Sequence, residues 1–139
     1  MKRLTVFTDG ASRGNPGPAS FGYVITDENK KIVHEMGKTL GITTNNVAEY
    51  TSVLESLKYI CKKYHKDLPI EVNYFADSRL VVEQLSGRFK VKSPHLREII
   101  IQINELIVEL GKVAFNHVPR EKNKDADRLA NLALDGKIF

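Results

Sequence analysis

Four acidic residues, Asp9, Glu49, Asp77 and Asp127, occupy positions from which carboxylates can converge. Asp9 closes an alternating stretch that begins at Arg3, and Asp77 follows another from Ile70 to Ala76, so both fall at the ends of predicted strands. If those strands are parallel neighbours, the two carboxylates emerge at one sheet edge, where the carboxyl ends of strands form the ligand crevice of open α/β folds. Glu49 stands in the first turns of a predicted helix, at the margin of its apolar stripe, and can face the same edge. Asp127 follows Ala126 beside the buried stripe of the last helix. Asp125 points about 200° away from it on a helix of 3.6 residues per turn and is expected to be solvated. Each acid alone has an ordinary explanation: strand-end aspartates make turns, and acids near a helix start favour its dipole. Four of them from four elements, able to meet at one end of one sheet, would repel one another unless neutralised. Hard oxygen ligands of this kind suit Mg²⁺ or Mn²⁺, and a pair of such ions can activate water against a phosphorus and stabilise the leaving oxygen.

The elements that must position these acids are legible in the hydrophobic pattern. Arg3 to Asp9 alternates in β-favouring residues, Ser12 to Pro18 has loop-like glycine and proline density, and Phe21, Tyr23 and Ile25 restart a period of two. Lys31 to Leu40 makes a third strand, and the short connections predict an antiparallel meander. Thr44 and Asn45 can cap a helix with Val47, Tyr50, Leu54, Leu57 and Cys61 on one stripe. Ile70 to Ala76 is then a strand reached by a helical crossover, followed by a short helix from Ser78 to Leu85. Ser93 and Pro94 open a longer helix bearing Leu96, Ile99, Ile103, Leu106 and Leu110, which Gly111 stops. Val113 to Val118 reads as a fifth strand, and Asn123 caps a final helix that buries Ala126, Leu129, Ala130 and Ala133. The order describes an α/β sheet with an antiparallel edge and a parallel remainder.

Size and composition set the outer bounds. A chain of 139 residues fits one domain, 1–139, able to bury roughly 70% of its unfolded surface. With 42% hydrophobic and 27% charged residues it has the balance of a globular chain, not a disordered one. Cys61 is the only cysteine, so neither an internal disulfide nor a cysteine-rich zinc site is available, and an intracellular, cytoplasmic location is expected. The N-terminus lacks the continuous apolar run of a signal peptide, and the longest apolar stretch, Leu96 to Leu110, is interrupted by charged and amide residues, so no membrane association is expected. A net charge of +4 and a pI near 9.2 are compatible with a polyanionic partner.

Four segments carry a specific resemblance. TVFTDGASRGNPGPASFGYVI, TTNNVAEYTSVLESL, ADSRLVVEQLSG and NHVPREKNKDADRLANLA resemble the successive motifs of type 1 ribonuclease H, in the family's order and spacing. The resemblance implies a ribonuclease H-like five-stranded mixed sheet flanked by helices, with the first three strands antiparallel and strands 1, 4 and 5 parallel. It implies a metal-dependent endoribonuclease that cuts the RNA strand of RNA/DNA hybrids, using two Mg²⁺ or Mn²⁺ ions and leaving 5′-phosphate and 3′-hydroxyl ends. A monomer is expected.

By the same resemblance, Asp9 and Asp77 ligate metal directly, with Asp9 bridging both ions, and Asp127 completes the second site. Glu49 binds metal and accepts a hydrogen bond from a ribose 2′-hydroxyl, the group by which a protein distinguishes RNA from DNA. Asn15, Asn45 and Asn46 resemble groove-reading amides, while Ser12, Arg13, Thr44 and Ser78 resemble sugar or phosphate contacts. Asn15 before Pro16 can equally shape a turn, and Asn45 can be only a cap.

Two features depart from the family. Many members carry a histidine in the loop before the last helix, where this chain has PREKNK, with Arg120 and Glu121 at the candidate positions. His117 lies within the predicted fifth strand, where a structural role is expected. The family's longer basic protrusion is reduced to RFKVKSP, whose Arg88, Lys90 and Lys92 can touch phosphates or form a solvated loop. Compact members of this kind can take a broader range of substrates, with double-stranded RNA and RNA–DNA junctions as secondary ones. A DNA-cutting relative or a silent hybrid-binding module would be told apart by cleavage of hybrid against duplex DNA, and by the effect of Asp77→Asn.

Overall fold

The computed structural model describes residues 1–87 and 93–137, so the basic residues Arg88, Lys90 and Lys92 lie outside the described residues. Strands β1 (Arg3–Ser12), β2 (Gly17–Thr26) and β3 (Ile32–Thr43) precede helix α1 (Asn45–Lys63). Strand β4 (Ile70–Ala76), helices α2 (Arg79–Leu85) and α3 (Pro94–Leu110), strand β5 (Gly111–His117) and helix α4 (Lys124–Leu134) follow. The sheet order is β3-β2-β1-β4-β5. β1 pairs antiparallel with β2, and β2 with β3, because short connections can only reverse the chain. β1 pairs parallel with β4, and β4 with β5, across the helical crossovers that parallel pairing requires.

The mixed sheet anticipated from the sequence is therefore present, but four strands, β1, β2, β3 and β5, run past their expected ends. Ser12 pairs with Ala19 and Gly17 with Thr43, so both ends of the glycine- and proline-rich stretch are strand, with Arg13 to Pro16 left as its turn. Cross-strand pairing overrides local loop propensity there, and the Arg13 amide continues the ladder by donating to the Pro18 carbonyl at 2.9 Å. β5 begins at Gly111 because that residue already pairs with Ile70. A single 3₁₀ turn, Arg120–Lys122, which the hydrophobic pattern gives no sign of, precedes α4.

The core lies between the sheet and α1 with α3. Tyr50, Leu54, Leu57, Ile60 and Cys61 of α1 meet Leu4, Val6, Val72 and Tyr74 of the central strands, and Ile99, Ile103 and Leu110 of α3 close the outer side. Each such side chain, fully buried, contributes about 1.5–3 kcal/mol of transfer free energy. The Tyr74 hydroxyl is buried beside the Ser56 hydroxyl at 2.7 Å, so this polar atom is paired inside the core. Thr44 and Ser78 cap α1 and α2 by accepting the Val47 and Val81 amides at 3.2 and 3.3 Å. On the opposite face α4 buries Ala126, Leu129, Ala130 and Ala133, as its pattern predicts. Among the described residues no helix is long and apolar enough to cross a membrane.

Candidate active site

The register of the two central strands sets the site. Thr8 pairs with Ala76, so the next residue on each strand, Asp9 and Asp77, stands side by side with its partner at the carboxyl edge of the sheet. Glu49 joins them from the second turn of α1, and carboxylate oxygens of Asp9, Glu49 and Asp77 all lie within 4.8 Å of one another. That approach depends on Gly10, an unforeseen contributor. A Cβ there would sit 2.4 Å from the Glu49 amide nitrogen and 2.6 Å from the Ala48 carbonyl carbon, so only glycine lets α1 come this close to β1. The Gly10 amide also donates to Asp9 Oδ1 at 3.0 Å. The Asp-Gly step at a strand end was the available signal, and it reads as a turn as easily as a close approach.

Asp127 reaches the cluster from α4 and lies outside the tight trio. Its carboxyl sits within hydrogen-bonding reach of Asp9 and also accepts from Asn131 Nδ2 at 3.2 Å. α4 is let down onto the sheet by Gly22, the cross-strand partner of Asp9, where a Cβ would stand 2.4 Å from the Ala126 carbonyl oxygen. Asp125 is exposed, as its helical angle requires.

Burial and like charge act together on these acids. Asp9 and Glu49 are both 4% exposed. Burial, then the charges of Glu49, Asp77 and Asp127, push the Asp9 carboxyl far above the usual carboxylate range. Burial and Asp77 push Glu49 the same way, opposed by hydrogen bonds from Asp9 and the Gly10 amide and by the Arg120 charge. Glu49 Oε2 is buried with no hydrogen-bond partner. Crowded carboxylates, an unpaired buried oxygen and hard donors only: this set fits a divalent cation, which would satisfy the orphaned oxygen and remove the repulsion.

An open cavity of about 370 Å³ is lined by Asp9, Gly10, Asn45, Glu49, Asp77, Ser78 and Arg120. Of the two loop candidates, Arg120 thus faces the cluster, while Glu121 is exposed and is not part of the lining. His117, at the exposed end of β5, does not line it either. Asn15 Oδ1 accepts the Asn45 amide at 3.0 Å and so joins the β1–β2 turn to the start of α1. Asn46 is half-buried and Thr44 is engaged as the α1 cap. Ser12 and Arg13 are turned elsewhere, the Ser12 hydroxyl donating to the Gly14 carbonyl and Arg13 pairing with Asp135 at 2.6 Å.

A five-stranded mixed sheet with an acidic cluster at the ends of its two central parallel strands defines a class, the α/β proteins of ribonuclease H-like architecture. The chain matches the Reverse transcriptase-like family over residues 7–133. It is 40% identical over 134 residues to a bifunctional protein of Mycobacterium tuberculosis, covering 96% of this chain and 36% of that one. It is also 40% identical to the ribonuclease HI of Halobacterium salinarum, covering 96% of this chain and 65% of the relative. Among solved structures, LC11-RNase H1 in complex with an RNA/DNA hybrid superposes with a TM-score of 0.91 at 42% identity, covering 96% of this chain and 97% of that one. The chain belongs to the ribonuclease H family, in its compact type 1 form. It spans about a third of the length of the mycobacterial relatives and 65% of the halobacterial one. Divalent-metal use is a property of that family, and the acidic cluster it requires is present.

Proposed function

We propose that this chain is a metal-dependent endoribonuclease that hydrolyses the RNA strand of RNA/DNA hybrids, leaving 5′-phosphate and 3′-hydroxyl ends. The observation that carries this reading is the convergence of Asp9, Glu49 and Asp77 within 4.8 Å. The similarity to LC11-RNase H1, whose structure holds an RNA/DNA hybrid, supports the choice of substrate. Asp9, Glu49, Asp77 and Asp127 would hold two Mg²⁺ or Mn²⁺ ions. Such ions, when bound, would generate the attacking hydroxide and neutralise charge at the phosphorus and the leaving oxygen.

The chain's own groups supply recognition and orientation. Glu49, fixed at the start of α1, accepts a hydrogen bond from the ribose 2′-hydroxyl next to the scissile phosphate, which selects RNA. Asn15, Asn45 and Asn46 present amides to base edges in the minor groove, with Asn15 and Asn45 held together by their mutual bond. Thr44 and Ser78 contact sugar and phosphate, and Ser12 and Arg13 join them on releasing the Gly14 carbonyl and Asp135. Arg120 takes the place of the family's loop histidine: its fork of donors steadies a phosphate oxygen or the departing group at the cavity wall. All of these residues belong to one domain, 1–139, acting as a monomer. The buried lone Cys61 supports a reducing, cytoplasmic setting.

The test is cleavage of matched RNA/DNA, RNA/RNA and DNA/DNA duplexes, and of an RNA–DNA junction, with Mg²⁺ and with Mn²⁺. Hybrid should be cut fastest, double-stranded RNA and junctions more slowly, and duplex DNA not at all. An intact hybrid with both metals would overturn the reading.

A further inference from the structure

Asn123 precedes α4 and is the helix's N-cap by position, yet its side chain makes no capping bond. An asparagine there ordinarily accepts an amide of the first turn and stabilises the helix by about 1 kcal/mol. Here it is turned inward instead, 1% exposed, and both hydrogens of its amide are spent on the sheet. Asn123 Nδ2 donates to the Thr8 carbonyl of β1 at 2.8 Å and to Asp77 Oδ2 at 3.2 Å. Its backbone carbonyl accepts the Asp127 amide at 3.2 Å, closing the first turn of the helix that carries the fourth acid. Its Oδ1 is buried without a partner.

One residue therefore touches three elements of the acidic site: the last residue of β1 before Asp9, the carboxylate of Asp77, and the amide of Asp127. The arrangement gives up a local gain in helix stability and leaves a buried acceptor unpaired, a cost that packing alone does not require. A hydrophobic residue of similar size would fill the space without the unpaired acceptor. What asparagine adds is a pair of donors at fixed separation, one held by an immobile backbone carbonyl and the other aimed at a carboxylate oxygen. That bond restricts rotation of the Asp77 carboxylate beside Asp9 and Glu49.

Resting on the metal-dependent reading above, we propose that Asn123 is a positioning residue, which fixes the Asp77 carboxylate relative to Asp9 and Asp127 before any ion binds. Pre-set ligand geometry is worth tenfold to a hundredfold in metal affinity where partners outside the ligand set have been removed in other metal sites. Asn123→Ser is the informative substitution, because serine is too short to reach Asp77 but is as good an N-cap as asparagine. Its melting temperature should stay within about 5 °C of the parent, a shift of order 1–2 kcal/mol for a chain of this size.

Calorimetric titration of Mn²⁺ into the substrate-free protein should show at least tenfold weaker binding in Asn123→Ser. Turnover of hybrid at saturating substrate should fall at least tenfold, with KM within about twofold. Raising the metal concentration should restore part of that turnover. If the parent chain itself binds no metal, the functional reading fails, and this proposal with it. If the parent binds and cleaves while a folded Asn123→Ser does both equally well, only the positioning role is overturned. Asn123→Ala, which sacrifices no existing cap bond, is read by the same criteria if the serine variant does not fold. Failure of both variants to fold makes Asn123 a structural residue and also overturns the proposal.

Discussion

Asp9 carries the strongest internal conflict in the molecule. It is buried with Glu49, Asp77 and Asp127 around it, and its carboxyl is held far above the usual range. A group whose folded value is raised contributes stability that is fully present below its unfolded value, near 4, and is lost as pH rises through the folded value. The metal-free protein should therefore weaken as pH climbs from 5 to 9. Asp9→Asn removes the group whose ionisation in the unfolded chain drives that loss. In chelator, this variant should melt higher than the parent at pH 8 by at least about 1.4 kcal/mol, one pKa unit's worth, with the gap closing toward pH 4. Mn²⁺ should raise the parent's melting point more than the variant's, and hybrid cleavage by the variant should drop at least 100-fold. Equal melting points in chelator at pH 8 would show that the carboxylates do not strain the fold. At the cavity wall, Arg120→Ala should cost about tenfold or more in turnover, an effect of order 1.4 kcal/mol, while Glu121→Gln leaves it within twofold. The reverse result would assign the loop's chemistry to Glu121. Sequence alone could not choose between these neighbours, because the 3₁₀ turn that sets Arg120 at the cavity wall has no hydrophobic period to reveal it. The four acids were legible because strand ends and helix stripes place them. Asn123 stands at the cap position read from the sequence, but its side chain makes no capping bond, since its inward turn is decided by partners 46 and 115 residues away.

Elements bring the acids together only as closely as their backbones allow. α1 and α4 each cross β1 or β2 at a glycine, Gly10 and Gly22, and in both places a methyl group would strike backbone atoms. Hydrophobic periodicity predicts which helix face turns to the sheet, and it did so for all four buried residues of α4. It carries no information on how near the helix lies, which depends on the residue across the gap. The same blindness to partners explains the strand ends: Gly17 and Gly111 read as breakers yet pair with Thr43 and Ile70. Gly22→Ala tests whether this spacing reaches the chemistry. Its Cβ would stand 2.4 Å from the Ala126 oxygen and 2.8 Å from the Ala130 nitrogen, so α4 must lift, and Asp127 with it. Stability should fall by about 1–3 kcal/mol, the usual cost of forced overpacking. At a temperature where the variant is fully folded, half-saturating metal should rise severalfold with KM for hybrid unchanged. A variant destabilised to this degree but normal in metal response would confine Gly22 to packing.

Across the whole molecule, the first hairpin turn meets the segment just after α4 beside the proposed substrate path. Arg13, in the first hairpin turn, pairs with Asp135 just beyond α4, with side chains 50% and 42% exposed. An exposed pair of this kind is worth about 0–1 kcal/mol, so a phosphate can displace Asp135 from Arg13 at little cost, but not at none. While the pair holds, one of the cations expected to grip the hybrid is neutralised within the protein. Asp135→Asn should free it, lowering KM for hybrid about twofold to fivefold at 50 mM salt and leaving turnover unchanged. Because the gain is electrostatic, it should shrink as salt rises and be nearly gone by about 0.5 M, where the screening length is under 5 Å. Arg13→Ala should raise KM, reduce the slope of log affinity against log salt by about 0.9, and abolish any benefit of Asp135→Asn in the double variant. A KM indifferent to Asp135→Asn at low salt would mean that Arg13 does not meet the substrate's backbone, and that the contact serves only to fasten the C-terminal end of α4 to the hairpin.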